Sequence, residues 1–299
     1  MDKVDLLIIG GGAAGMAAAY SAYESGVKKI LIAERHGYLG GVLNQCLHDG
    51  FGLGYFGENL TGSQYAERYM DKLNCLDIDI RLNTTVLNIY PDKTALISSE
   101  NGAEIIAFDR CILASGCRER TVNSLPVTGS RPSGVFTAGC AQKMVNISGL
   151  DVGDNIVILG TGDIGQIMAR HFIQNGRNVI AMIEMNDRPG GLKRNRENCI
   201  EAYNIPVICN STIDEIEGEG RISGVYVKHL DRGEREFIEC DTLITALGLI
   251  PERELLAEIS EGGRLPEWIS TCGNCDYVHD IVDSVTVQAE KAGKEAANG

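Results

Sequence analysis

The sequence is short of positive charge. Its 299 residues carry 27 Lys and Arg against 41 Asp and Glu, a formal net charge of −14. Such a surface repels phosphate backbones and anionic headgroups, so no nucleic-acid partner and no lipid-surface attachment is expected. Long apolar runs are missing too: none reaches the roughly 18 residues that span a bilayer, and membrane insertion is not expected. The opening Met1-Asp2-Lys3-Val4-Asp5 lacks the basic stretch of a secretory leader, and glycine interrupts the apolar run behind it. A cytoplasmic location is the expectation. With 44% hydrophobic and 23% charged residues, the composition is that of a folded globular chain. Its length suggests about two domains.

Paired cysteines are scarce as well. The ten cysteines are scattered, and only Cys272 and Cys275 form a C-x-x-C. One such pair supplies too few ligands for a zinc or iron–sulfur site, so no metal is expected. Most of these thiols are expected to be small buried hydrophobes. Glycine, by contrast, is abundant: 36 residues, about 12% against a typical 7%. The glycines cluster where a backbone must come close to something.

Two stretches repeat each other. Residues 4–16 read VDLLIIGGGAAGM, and residues 154–166 read DNIVILGTGDIGQ. Each is an apolar, β-branched run entering G-x-G-x-x-G, with Gly10, Gly12 and Gly15 in the first and Gly160, Gly162 and Gly165 in the second. Each continues into a second apolar strand ending in an acid, Glu34 or Glu184, which follows the third glycine by 19 residues both times. A lone glycine motif is weak. Strand, glycines, helix, strand and acid in register form a βαβ dinucleotide fingerprint with a mechanism. The first glycine makes the tight turn, the second lets backbone approach a pyrophosphate, the third lets helix and strand pack closely, and the acid accepts from a ribose. The helix N-terminus then offers N–H groups and positive partial charge to phosphate.

The halves match further on. Residues 78–108 and 205–240 both read as β-meanders, with turns at Pro91-Asp92, Asn101-Gly102, Gly218–Gly220 and Asp231–Gly233. Each meander feeds a buried strand ending in small residues, Arg110–Gly116 and Thr242–Gly248. The tail from about Ile281 to Ala297 reads as a helix with Ile281, Val282, Val285 and Ala289 on one stripe. Two dinucleotide-binding domains in one short chain is the reading.

Over essentially its whole length the chain resembles the two-dinucleotide flavoprotein superfamily, in its short thioredoxin-reductase-like branch. The residues that carry the likeness are both glycine motifs with their acids, Ala114-Ser115-Gly116, Ala246-Leu247-Gly248 with Pro251, and the tail Cys272-Gly273-Asn274-Cys275. The resemblance implies an α/β fold of two Rossmann-like three-layer ββα domains, the NAD(P) domain inserted in the FAD domain. The implied boundaries are 1–118 and 247–299 for FAD and 119–246 for NAD(P). For FAD it implies Gly10, Gly12, Ala13, Ala14, Gly15, Glu34, Arg35, Gly41, Val42, Val86, Ala114, Ser115, Gly116, Gly273, Asn274 and Asp280. For the nicotinamide nucleotide it implies Gly160, Gly162, Asp163, Ile164, Gly165, Glu184, Ala246 and Gly248. Glu184 favours NAD over NADP, because a carboxylate accepts from both ribose hydroxyls and repels a 2′-phosphate; Arg188, Lys193 and Arg194 nearby argue the other way. The N-terminus of the tail helix is expected to stabilise negative charge on a reduced flavin.

Two departures matter. Such flavoproteins carry Gly-Asp where this chain has Gly273-Asn274. The branch's redox dithiol lies just before the second glycine motif, where Gly134–Ala141 offers Cys140 alone, and Gly40–Cys46 likewise offers a single thiol. Without a dithiol, disulfide reduction lacks its chemistry. The stretches Gly40–Gly52, Arg131–Gln142 and Cys272–Asp280 resemble a narrower set: flavoprotein subunits of opine, sarcosine and dye-linked proline dehydrogenases, and those paired with anaerobic glycerol-3-phosphate dehydrogenases. The expectation is an FAD-dependent NAD(P)H oxidoreductase exchanging electrons with a partner dehydrogenase or iron–sulfur subunit; a homodimer is compatible. Cys46, His48 and His279 are the candidate catalytic residues near the flavin. Direct amine or amino-acid oxidation, single-thiol peroxide reduction through Cys46, and a non-catalytic redox sensor stay open at this point.

Overall fold

A computed structural model describes residues 3–260 and 262–298. The chain divides into two compact units, one formed up to Arg118 and again from Ile250, the other from Glu119 to Leu249. The return to the first unit therefore comes at 250 rather than 247. The Arg120 N–H donates to the Gly248 carbonyl at 2.9 Å and keeps that segment with the second unit.

In the first unit, strand Lys3–Ile9 runs into helix Ala13–Glu24 and then into strand Ile30–Ala33, which lies parallel to the first with Leu6 opposite Ile30 and Ile9 opposite Ala33. Asp79–Arg81 extends the sheet parallel beyond Ile30–Ala33. On the other side the twelve-residue strand Gly102–Leu113 changes partners along its length. Its first half pairs antiparallel with Thr94–Ser99, the middle of a meander that includes Thr85–Tyr90. Its second half runs parallel to Lys3–Ile9, and Ile269–Thr271 joins it from the tail. Strands buried on both faces read as unbroken apolar runs. Leu6, Ile8, Ile30 and Ile32 face the helices, while Leu7, Ile9, Leu31 and Ala33 face the meander, as a two-residue period requires.

Small side chains bring the helical layer together. Helix Ala13–Glu24 presents Ala18 and Ala22 to the tail helix Val282–Ala297, whose Gly293 has room for no Cβ because one would overlap the Ala18 carbonyl. The tail helix buries Val285, Thr286, Ala289, Ala292 and Gly293. Ile281, expected on the buried stripe, is the extended residue before the helix (φ −137°, ψ 146°) and is 46% exposed, and the stripe begins with Val282, which packs against the core. Helix Gly62–Asn74 starts in a capping box between Thr61 and Gln64. It sets the buried Tyr65 and Tyr69 edge-to-face against Phe56.

At its far end the Lys72 ammonium sits 4.7 to 5.4 Å from the ring centres of Tyr20, Tyr55, Phe56 and Tyr69. Tyr55 donates to the Glu290 carboxylate, and the Tyr69 hydroxyl lies 2.8 Å from that of Tyr55 and 2.9 Å from Glu290 Oε1. One ammonium and one carboxylate thus join helix Gly62–Asn74, the Tyr55 loop and the tail helix.

The second unit repeats the plan. Its parallel sheet runs Val207–Ile208, Asn178–Ile183, Asn155–Leu159, Thr242–Thr245, Val135–Thr137. These are the counterparts of Asp79–Arg81, Ile30–Ala33, Lys3–Ile9, Gly102–Leu113 and Ile269–Thr271 in the same order. Helices Ala138–Asn146 and Asp163–Gln174 cover one face through Ile156 and Ile158. The meander Ser211–Glu219, Arg221–His229, Arg235–Glu239 covers the other through Val157 and Leu159. Among the described residues no helix is long and apolar enough to cross a membrane.

The Lys72 cluster yields a stability prediction. Lys72→Met removes a partly desolvated cation–π contact and is expected to cost about 1–2 kcal/mol in urea unfolding followed by circular dichroism. Glu290→Ala removes the carboxylate that accepts from the half-buried Tyr55 and the buried Tyr69 and is expected to cost about 1–2 kcal/mol. In the double variant the losses sum to less than their total, because the groups share partners. A fully additive double variant refutes the cluster as one unit.

Candidate nucleotide-binding sites

The two glycine motifs are built the same way. Gly10 has a φ of 104°, and a Cβ there would lie 2.6 Å from the Ala114 carbonyl oxygen. Gly160 has a φ of 100°, and its Cβ would overlap the Ala246 carbonyl. A Cβ on Gly15 would overlap the Gly10 carbonyl, and one on Gly165 would come within 2.8 Å of that of Gly160. The middle glycines differ in kind. A Cβ on Gly12 or Gly162 meets nothing of the protein within 4 Å. Those two glycines keep open space clear at a helix start, and neither helix end receives a side-chain cap. The first-turn N–H groups are therefore left for an outside acceptor.

In the first unit two more backbones close on that space. A Cβ on Gly41 would stand 3.2 Å from the Gly12 α-carbon, and one on Gly273 would stand 2.6 Å from Ala14 Cβ. Three chain segments thus form a cradle cleared of side chains, which fits the pyrophosphate of FAD. Ala13 begins the helix, Ser115 donates to the Glu252 carbonyl at 2.7 Å, and the Gly116 carbonyl accepts from the Glu252 N–H. Glu34 is 5% exposed; it accepts from the Gly11 N–H and the His36 N–H, both at 2.7 Å. A carboxylate has about four acceptor positions, so two stay open for ribose hydroxyls. Arg35 is exposed and pairs with Glu252 at 3.8 Å. Val86 packs into the meander-side core, which leaves its side chain a structural task.

Beyond the cradle lie the candidate catalytic residues. The Cys46 thiol donates to the Val42 carbonyl at 3.4 Å, and burial pushes its pKa up to about 12. A thiol held there is not a resting thiolate. Val42 itself is 64% exposed. His48 Nδ1 lies 3.0 Å from the Asp49 carbonyl, and its ring leans on Phe51. His279 Nε2 meets Gln288 Oε1 at 2.9 Å. The Asn274 side chain turns into its own loop, accepting from the His279 N–H at 3.0 Å with its amide near Cys117. Asp280 is exposed, next to the tail helix. The first turn of that helix carries Asp283, one oxygen accepting from the Gly54 N–H at 2.7 Å and the other buried without a partner. The positive helix end therefore has a carboxylate of its own beside it.

A network that sequence reading missed holds the tail loop. Gln288 accepts from Gly273 N–H at 2.8 Å and donates to Asp276, which also takes Thr271 and Arg253. Cys272 and Cys275 are buried, and burial raises both thiols. The Cys275 thiol faces the Leu113 carbonyl at 3.0 Å. All ten cysteines are thiols, and among the described residues no group of three His, Cys, Asp or Glu is placed to hold a metal ion.

In the second unit Glu184 is 7% exposed and receives four donors: the Thr161 N–H at 3.2 Å and hydroxyl, and the Asn186 N–H at 2.9 Å and amide at 2.6 Å. Burial pulls its pKa upward, but the bonds from Thr161 and Asn186 prevail and hold it below the ordinary carboxylate value. In contrast to Glu34, its four acceptor positions are all taken by donors of the chain itself. Asp163 accepts from the Leu192 N–H at 2.8 Å and the Asn195 amide at 2.7 Å, and Ile164 packs on the core. Arg188, Lys193, Arg194 and Gly248 are exposed. At helix Ala138–Asn146, where a dithiol is absent, the Glu119 carboxylate accepts from the Gly139 N–H at 2.7 Å and the Cys140 N–H at 3.2 Å. Burial, then Glu119, raises the Cys140 thiol.

Hydrogen cyanide synthase subunit HcnB of Pseudomonas protegens is 31% identical over 188 residues, which is 60% of this chain and 38% of that protein. NADH dehydrogenase of Bacillus subtilis is 24% identical over 269 residues, 90% of this chain and 50% of that protein. The chain spans half or less of the length of these two relatives. The thioredoxin reductase structure from T. acidophilum matches with a TM-score of 0.79 at 22% identity, over 100% of this chain and 99% of that one, a likeness of fold. Residues 4–266 match the model of the pyridine nucleotide-disulphide oxidoreductases, and the chain belongs to that family, whose members bind FAD and NAD(P)H.

Proposed function

We propose that the chain is an FAD-dependent oxidoreductase that takes hydride from NADH and passes electrons to a partner dehydrogenase or iron–sulfur subunit. The observation that carries this reading is the paired cradle: two helix starts cleared by Gly12 and Gly162, each beside a buried acid. Bound in the first cradle, FAD would supply two-electron acceptance and onward transfer. The chain's own part is to bind and orient. Glu34 offers two acceptor positions to the FAD ribose, and the backbones at Gly12, Gly41 and Gly273 leave room for pyrophosphate oxygens at an uncapped helix end. Glu184 sets fixed negative charge where NADPH would bring its 2′-phosphate, which favours NADH.

The lack of a dithiol just before the second glycine motif, with Glu119 on the helix end beside Cys140, supports an electron exit other than disulfide reduction. A partner is supported by HcnB, which is named as a subunit. Peroxide reduction through Cys46 is disfavoured by the raised thiol.

Three outcomes check the proposal. Gly12→Val adds a side chain that meets no protein atom near its Cβ; it is expected to fold with the circular dichroism and melting of FAD-free wild type, yet to retain no FAD. Gly162→Val is expected to stay yellow, while anaerobic NADH, which bleaches the wild-type flavin band, no longer does so. Wild-type protein that keeps its colour under NADH refutes the assignment. Cys46→Ser is expected to leave NADH-driven dye reduction within about twofold, and iodoacetamide at pH 8 is expected to label the exposed Cys75 before Cys46. A loss above about tenfold in that variant would restore Cys46 as a redox group.

A further inference from the structure

The two buried acids occupy equivalent positions, and the backbone proves it. Asn83 N–H donates to the His36 carbonyl and Thr84 N–H to the Glu34 carbonyl; Asn210 N–H donates to the Asn186 carbonyl and Ser211 N–H to the Glu184 carbonyl. His36 and Asn186 therefore correspond, as do Gly11 and Thr161 in the middle of G-x-G. In both units the backbone N–H groups of these two positions donate to the acid. The difference lies in the side chains. Gly11 has none, and the His36 ring stacks on Tyr38 instead. Thr161 and Asn186 each send a further donor to Glu184.

Those two extra donors are not equally fixed. The Thr161 side chain is 1% exposed, and its hydroxyl also accepts from the Gly190 N–H at 2.8 Å. It anchors a strap, Pro189–Asn195, that is latched through Gln166 to the Thr161 and Gly190 carbonyls and through Asp163 to Leu192 and Asn195. Glu184 Oε2 thus accepts from a threonine that is itself held in place. Asn186 is solvent-exposed, and its amide donates to Glu184 Oε1 at 2.6 Å. Water can replace Glu184 as the partner of that amide, and Oε1 then gains a vacant acceptor position.

We propose that Asn186 is a specificity-determining residue whose amide competes with the adenosine ribose for Glu184, so that nucleotide enters by displacing it. This rests on the reading of the second unit as the nicotinamide-nucleotide site. A nucleotide with free 2′- and 3′-hydroxyls regains on Oε1 the bond that the amide gives up. One with a 2′-phosphate keeps only its 3′-hydroxyl as a donor and brings its phosphate against the carboxylate's charge. The amide thus lowers affinity for the correct nucleotide and, by sharing the carboxylate's lone pairs, blunts its rejection of the phosphorylated one.

The test is calorimetric titration of FAD-loaded protein with ADP-ribose and with 2′-phospho-ADP-ribose. Asn186→Ala is expected to bind ADP-ribose about tenfold more tightly, the size of one hydrogen bond to a charged group, and 2′-phospho-ADP-ribose no more tightly. Asn186→His, which transplants the first unit's residue, is expected to shift the same way. Unchanged or weaker ADP-ribose binding in both variants, with wild type binding normally, overturns the role of Asn186 alone. Wild-type protein that stays yellow and folded but binds neither probe overturns the nucleotide site and this role together.

Discussion

Both units depend on one steric constraint, the contact of a helix start with the strand that precedes it and the strand beside that. A side chain at Gly10 or Gly160 would drive into the Ala114 or Ala246 carbonyl, and one at Gly15 would drive into Gly10. With no Cβ at any of these points, the helix lies so low on the sheet that its first N–H groups emerge at the carboxyl ends of the parallel strands, where ligands of open α/β sheets bind. The neighbouring acid is fixed by the same geometry, since its backbone and side-chain bonds run to the residue inside the glycine motif. Removing the close contact would lift the helix, tilt the first turn and detach the acid together.

That constraint also explains what the sequence makes legible. Motif, helix and acid lie within one short βαβ unit, so their spacing is set by local geometry and repeats at 19 residues. The two parallel sheets share one strand order, in keeping with the repeat. What was not legible is tertiary. Asn83 and Asn210 play the same part, both with positive φ near 50°, but they follow their acids at very different distances, so no fixed period reveals them. The Gln288–Asp276–Arg253 network links a helix, a loop and a 3-10 turn that sequence alone does not juxtapose. The side chain of Asn274 closes its loop onto His279, a contact five residues away that its place beside Gly273 does not announce. Ile281 fits a helical stripe by spacing, yet it is the extended residue just before the helix and stays exposed.

Burial decides among the thiols more than spacing does. Cys272 and Cys275 have the interval of a redox pair, yet both are held in apolar surroundings with raised pKa values, and the Cys275 proton points at carbonyls. Cys46 follows the Gly40-Gly41 turn that the resemblance carries to the flavin, but the same kind of burial keeps it a thiol. Desolvation disfavours the charged form of each, and none has a cation beside it strong enough to reverse that. The carboxylate of Glu119 at the end of helix Ala138–Asn146 works in the same direction for Cys140. The electrostatics of this chain thus disfavour thiolate chemistry at every cysteine the resemblance placed near a cofactor.

One plan used twice can also serve two different residence times. In the first unit three backbones converge on the phosphate space and Glu34 keeps two acceptor positions open, so a dinucleotide there gains contacts without displacing any. In the second, the strap from Pro189 to Asn195 is already bonded to Thr161 and Asp163, and Glu184 is already satisfied. A dinucleotide arriving there exchanges bonds instead of adding them, and its net gain is correspondingly smaller. Two changes relative to the first copy, threonine for Gly11 and asparagine for His36, account for the filled carboxylate. Under the proposed assignment, a resident cofactor and a visiting one would follow from the same βαβ geometry, separated by which side chains reach the acid first.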